Sequence, residues 1–398
     1  MIRGLLGRNY ILLWLGQFVS QMGNRLYLMA LAWYFVSVAD DSAGLFTVFI
    51  VSSLPSLFLG PFIGPLVERW NKKRIMVCCD LVSAGLVGLL GWIVSRDAAS
   101  NYAIYAICFA LNSVNLLFSP AINSIIPAIL PPEKYQAGMS YIKMITFLGQ
   151  ILGAAVGGIL VGFLGVYLTI VVNAVSFFLS GLSEMFIRFR PPAVRRSGNY
   201  AGALKAGINY VRRSPVVRRV LSVSVACNLF IPALMVFLPI VIKTQMGLDA
   251  KAYGLADAMM PAGAVFAAVL LARRRSGLSP GRVLSVGLGG LSVAFLLTAC
   301  VPVYSVVLFS VFAYGCFTNF INIQIVTYFL KTVDPDYRGR FFSLLESFSY
   351  ASISLSYLLA TVISGYYEVT AALLVNAAGL LLLALAALSP IKQNANRQ

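Results

Sequence analysis

The sequence predicts an all-α membrane protein in which twelve transmembrane helices form two pseudo-symmetric six-helix bundles. Three observations carry that expectation. The 398 residues are 60% hydrophobic and only 11% charged, with a mean hydropathy of +0.87, whereas soluble domains average about a quarter charged residues. The apolar residues come in runs of about 20 or more, each long enough to cross roughly 30 Å of hydrocarbon. Most of the charge sits in short turns between runs, and the two halves echo one another.

The runs read as spans at 9–38, 45–66, 75–94, 102–125, 137–164 and 167–186, then at 217–242, 252–271, 282–301, 304–330, 341–365 and 370–388. Residues 1–187 are thus expected to form one bundle and 217–398 the other, joined by a basic linker at 188–216. The first span follows Arg3 and Arg8, and is too long and too poor in cleavage signals to be a leader peptide. Within the linker, Pro191 and Pro192 lie among Arg188, Arg190, Arg195 and Arg196. Tyr200, Leu204, Ile208 and Val211 then recur at helical spacing beside Lys205, Arg212 and Arg213. That pattern predicts an amphipathic helix on the inner leaflet, held by anionic lipids.

Orientation follows from the 30 basic residues. Only Arg96, Lys243 and Lys251 fall in the odd-to-even loops and Arg25 falls within a span; the termini and remaining loops carry the rest. Basic loops stay on the cytoplasmic side, so both termini are expected there. The halves repeat at an offset of a little over 200 residues, as expected for a carrier that rocks two halves about a central site. Gly23-Asn24 with Ala30-Leu31 is matched by Cys227-Asn228 with Ala233-Leu234, and Pro132-Glu133-Lys134-Tyr135 by Pro335-Asp336-Tyr337-Arg338.

Several function classes are excluded. The net charge of +17 does not mark a nucleic-acid binder, because the bases lie in turns between membrane runs. Cys78, Cys79, Cys108, Cys227, Cys300 and Cys316 all fall inside apolar spans without a CxxC spacing, and read as small hydrophobes. With no histidine, no acid pair at the membrane centre, no nucleophile elbow and no phosphate loop, neither an enzyme nor a cofactor or metal is expected.

Buried polar groups are costly in a membrane, so their positions carry information. Gln17, Gln21 and Asn24, with Ser20 and Tyr27, share one face of the first span; Asn112, Asn115, Ser119 and Asn123 share one face of the fourth. Asn228 on the seventh and Thr318, Asn319 and Asn322 on the tenth lie at matching depth, and the eleventh carries Glu346, Ser349 and Tyr350. Interhelical bonding, about 0.6–2 kcal/mol per contact, explains any one of these asparagines. Four spans agreeing favours a wet cavity, for which Gln17, Gln21, Asn24, Arg25, Tyr27, Asn112, Asn115, Gln150, Asn228, Asn319, Asn322 and Tyr350 are the candidate substrate contacts. Arg25 lies about 24 Å into its span at 1.5 Å per residue. It must snorkel, bind an anion or find a partner, and Asp257 is the acid closest in depth. On the fifth span, Gly149, Gly153, Gly157, Gly158 and Gly162 predict a flat face for close helix packing.

The turn at 64–74, GPLVERWNKKR, crowds Glu68, Arg69, Lys72, Lys73 and Arg74 together, and Asp80 and Arg338 fall on the same side of the membrane. Its form, Gly-x-Leu-x-acid-Arg-x-x-base-base, resembles the signature loop between helices 2 and 3 of the major facilitator superfamily. The fifth-span glycines resemble the exporter motif of that superfamily, with Ala154 where a proline is usual. Together with PDYRGRFFSLLES at 335–347, these features resemble the macrolide-efflux branch of its drug–proton antiporters. The resemblance implies export of bulky amphipathic small molecules across a bacterial cytoplasmic membrane, by alternating access coupled to protons. It implies that helices 1, 4, 7 and 10 line the cavity, and that Gly64, Glu68, Arg69, Lys72, Lys73, Arg74, Asp80 and Arg338 form an inner gate. Relatives often carry an acid where this chain has Asn24, which cannot titrate, leaving Asp257 and Glu346 as proton-coupling candidates. A monomer in contact with membrane lipids is expected; the alternative function on this scaffold is a lipid or lysolipid flippase.

Overall fold

The computed structural model describes residues 7–60, 63, 67, 70–96, 100–130, 135–188, 212, 215–273, 278–333 and 338–388. Every regular element among them is helical. Helix α1, Arg8–Trp33, runs into a π turn at Tyr34–Val38, and is followed by α2 (Ser42–Phe58), α3 (Lys72–Val94) and α4 (Asn101–Ile129). The stretch Tyr135–Met185 contains one non-helical residue, Gly165 at φ +79°, which divides it into α5 and α6. Helix α7 comes in two pieces, Pro215–Cys227 and Ala233–Ile240, the second ending in a π turn at Val241–Gln245. Then come α8 (Ala250–Arg273), α9 (Pro280–Cys300), α10 (Tyr304–Thr332), α11 (Arg338–Tyr366) and α12 (Val369–Leu388).

The twelve helices expected from the apolar runs are therefore present among the described residues. Eight stretches are long and apolar enough to cross a membrane, the α5–α6 pair counting as one of them; Ser42–Phe58 and Ala233–Gln245 are apolar but shorter. The seventh span departs from the expected continuous helix. Pro232 supplies no amide hydrogen, and the chain tightens into i→i−3 bonds from the Asn228 and Phe230 amides to Val225 and Cys227, each 3.1 Å. The Ile231 carbonyl released there accepts from the Tyr314 hydroxyl at 3.0 Å, so the break is satisfied internally. The expected linker helix at 200–213 lies outside the described residues apart from Arg212.

Side-chain caps set the helix starts. Asp41 accepts from the Gly44 amide at 2.8 Å and from the Asn101 side chain at 3.0 Å, joining the starts of α2 and α4. Asn71 accepts from the Lys73 and Arg74 amides. Three bases open α3, the end where a helix dipole disfavours cations. Lys73 relieves this by donating its ammonium to the Met185 carbonyl at 2.7 Å, the negative end of α6. Nearby, Asn9 donates to the Arg188 carbonyl and accepts from its amide, tying the start of α1 to the end of α6.

By contacts the chain forms two compact units, one of residues 1–197 with 247–258, the other of 198–246 with 259–398. In the first, α1 lies along the α5–α6 pair, α3 packs on that pair and on α4, and α2 packs on α4. A core of Tyr10, Leu13, Met76, Ile125 and Ile145 closes the end near Lys72, and Tyr10 donates its hydroxyl to the Gly138 carbonyl at 2.5 Å. In the second, α9 packs against α10 and α12, where Ser292 and Ser285 donate to the Ala377 and Ala384 carbonyls of α12.

Helix α6 shows the logic of the first unit. Thr169, Asn173, Ser176, Ser180 and Glu184 recur at helical spacing and are all buried, while Val175, Phe178, Leu179 and Leu182 are exposed. Its polar face turns inward and its apolar face outward, the arrangement a hydrocarbon solvent demands.

Candidate functional site

Asn24 and Tyr27 of α1 and Asn112 and Asn115 of α4 converge on one cavity of about 150 Å³, completed by Leu28, Val87, Leu111 and Phe177. The i, i+3 spacing within each pair places both of its side chains on one helix face, and the burial of α1 against α6 turns its stripe inward. Tyr27 is fully packed, its hydroxyl 3.0 Å from the Cys108 sulfur. The Asn112 amide donates to the Cys108 carbonyl one turn below it, at 2.9 Å. Four amide and phenol side chains thus share an otherwise apolar wall.

The glycine row of α5 brings α1 into place. A Cβ at Gly149 would lie 3.1 Å from the Gln21 Cβ, and one at Gly153 only 2.5 Å from the Met22 carbonyl oxygen. Gly157 lies against Leu26 and Met29. Gly158 instead faces the first turns of α8, where a Cβ would meet the Ala250 oxygen at 2.6 Å and the Gly254 Cα at 2.9 Å. Gln21 and Gln150 are half-buried on the packed pair.

Arg25 forms an ion pair with Asp257, whose side chain is 4% exposed against 20% for the arginine. Tyr253, one turn earlier on α8, stacks on Trp33 with ring centroids 6.0 Å apart. The partner expected from depth is the partner present, and this arginine is neutralised.

In the second unit Asn228 sits at the break in α7 and donates to the Ser224 carbonyl at 3.4 Å. Asn319 of α10 donates to the Ala264 carbonyl of α8 at 2.6 Å, whereas Asn322 is exposed. Glu346 and Tyr350 of α11 are exposed.

Of the expected gate residues, Gly64, Glu68 and Arg69 and the side chain of Arg338 lie outside the described residues. Lys72, Lys73 and Arg74 open α3, Lys72 donating to the Trp70 carbonyl. Asp80 is not turned toward them. It shares the buried face of α3 with Met76 and Ser83, one turn to either side, at 2% exposure. It packs against α6 at Gly181, between Ser180 and Glu184 in the chain, where an added Cβ would lie 3.2 Å from the Asp80 Cβ. Gln17 of α1 donates to the Glu184 carboxyl at 3.5 Å. The buried stripe of α6 is what the sequence reading missed: its 4-3-4-4 spacing is as regular as that of α1, but it is built mostly of hydroxyl groups.

Polar faces turned inward around a cavity and apolar faces turned outward define a multi-pass membrane protein with an internal polar site. The model of a family described as transmembrane secretion effector matches residues 5–396, and the chain belongs to that family, within the major facilitator superfamily. Its members and relatives are transporters, not enzymes. The uncharacterized MFS-type transporter YkuC of Bacillus subtilis (strain 168) is 27% identical over 195 residues, 49% of this chain but only 45% of YkuC. The multidrug efflux pump Tap of Mycolicibacterium fortuitum is 26% identical over 359 residues, 85% of each chain. Macrolide efflux protein A of Streptococcus pyogenes is 24% identical over 152 residues, 38% of each. Among solved structures, the nucleoside transporter NupG has the same fold, with a TM-score of 0.77 at 16% identity over 95% of this chain and 98% of its own.

Proposed function

We propose that the protein exports bulky amphipathic small molecules, of drug or macrolide type, from a bacterial cytoplasm in exchange for protons. It works by alternating access, as a monomer with both termini on the cytoplasmic side. The observation that carries this reading is the cavity of Asn24, Tyr27, Asn112 and Asn115. Mostly apolar walls with a few placed polar groups suit a ligand of the same character. At about 150 Å³ it holds one ring or side group, smaller than the roughly 300–1,000 Å³ of a drug-sized site, and so serves as one subsite. Efflux relatives, named for multidrug and macrolide export, support the direction and the substrate class.

The test is ethidium and erythromycin accumulation in everted membrane vesicles containing the full chain. Accumulation that stops when an uncoupler collapses the proton gradient is expected; accumulation indifferent to the gradient overturns the coupling. Asn112→Leu is expected to lower accumulation at least tenfold with the protein still folded, and unchanged transport in that variant removes the cavity from the pathway.

A further inference from the structure

Asp80, expected at the inner gate, and Glu184, to which no role was assigned, are two buried carboxyl groups inside the first unit. They are 2% and 0% exposed, on α3 and on the last turn of α6. Asp80 packs on α6 at Gly181, where an added Cβ would lie 3.2 Å from its own, and Glu184 follows one turn later on that helix. Glu184 accepts from Gln17 with one oxygen, while Glu184 Oε2 and Asp80 Oδ2 have no hydrogen-bond partner among the described residues. The groups around them are neutral or already engaged. Ser180 donates to the Gly16 carbonyl and Ser183 to the Ser180 carbonyl, and Cys79 donates to the Val114 carbonyl of α4. Lys73, the cation beside this end of α6, donates to the Met185 carbonyl; Arg74 and Lys143 are exposed. Two unpaired carboxylates so enclosed would each lose their hydration and repel one another, an arrangement proteins avoid by holding a proton.

We propose that Asp80 and Glu184 share one exchangeable proton and are the proton-binding site of the exporter, with Gln17 reporting its presence to the substrate face of α1. The inference deepens the exporter reading and rests on it for the coupling, but not for the proton itself. Binding adds H⁺ to one carboxylate oxygen; release returns it to water and leaves two facing negative charges. Their repulsion then disfavours the packing of α3 and α1 on α6, which makes proton release a conformational signal. Asp257 is a poorer carrier, since Arg25 already neutralises it.

Infrared difference spectra of the purified full-length protein, recorded across roughly pH 5 to 9, read the proton directly. A protonated-carboxyl band that titrates in the parent and is lost in Glu184→Gln is expected, with Asp80→Asn giving the same loss should Glu184→Gln fail to fold. A band unchanged in both variants overturns the site, as does one that responds to sodium and not to pH. In everted vesicles, ethidium accumulation by Glu184→Gln is expected to fall at least tenfold and to lose its response to the gradient, with Glu184→Asp restoring that response. A parent that ignores the gradient while its band titrates overturns the antiport reading alone. A parent that follows the gradient beside variants that follow it equally overturns the site alone.

Discussion

Helix α1 takes part in two buried charged sites built on opposite principles. At Arg25 an opposite charge from Asp257 completes the pair. At Gln17, two turns away, the amide donates to Glu184, one of two buried carboxyl groups without a cationic partner among the described residues. The first site is a complete ion pair that needs no further ion. The second, as proposed, needs a proton, and that difference would separate a structural charge from a working one.

The same change, carboxyl to amide, should therefore act in opposite ways at the two sites. Asp257→Asn strands the Arg25 guanidinium and is expected to cost about 3–5 kcal/mol, seen as a lowered thermal midpoint of the purified protein. Replacing both partners by leucine should recover most of that loss. Gly153→Leu comes next, at about 1–3 kcal/mol, because its side chain must displace the Met22 carbonyl 2.5 Å from its Cβ. Asn112→Leu should change the midpoint by at most about 1 kcal/mol, since its amide bonds only its own helix, while transport falls. Glu184→Gln should leave the midpoint within about 1 kcal/mol of the parent or raise it, since it removes a repulsion and keeps the volume. Equal losses for Asp257→Asn and Glu184→Gln would erase the distinction.

Much of the fold was legible because the bilayer enforces it. A span needs about 20 apolar residues and tolerates charge only at its ends, so twelve runs announce themselves in the chain. The amide stripes were legible too, because helical spacing puts Asn24 with Tyr27 on one face of α1 and Asn112 with Asn115 on one face of α4. Asp80 was harder. Its sequence neighbours are the bases of the 64–74 turn, but helical phase outweighs proximity and packs it against α6 at Gly181. The stripe on α6 escaped because serine and threonine satisfy themselves on their own helix, as Thr169 does on the Gly165 carbonyl and Ser176 on Asn173. The break in α7 hid behind an unbroken apolar run whose one clue was Pro232.

The left-handed residue at Gly165 joins α5 to α6 without any loop. An epitope or glycosylation tag spliced there would have to pry the two helices apart, and any side chain at that φ is strained. Sidedness is better mapped from the Asp40–Asp41 turn or from Arg96, whose guanidinium rests 5.2 Å over the Trp92 ring. A cysteine introduced at either, challenged with an impermeant reagent on intact cells, reports which face of the bilayer this corner occupies.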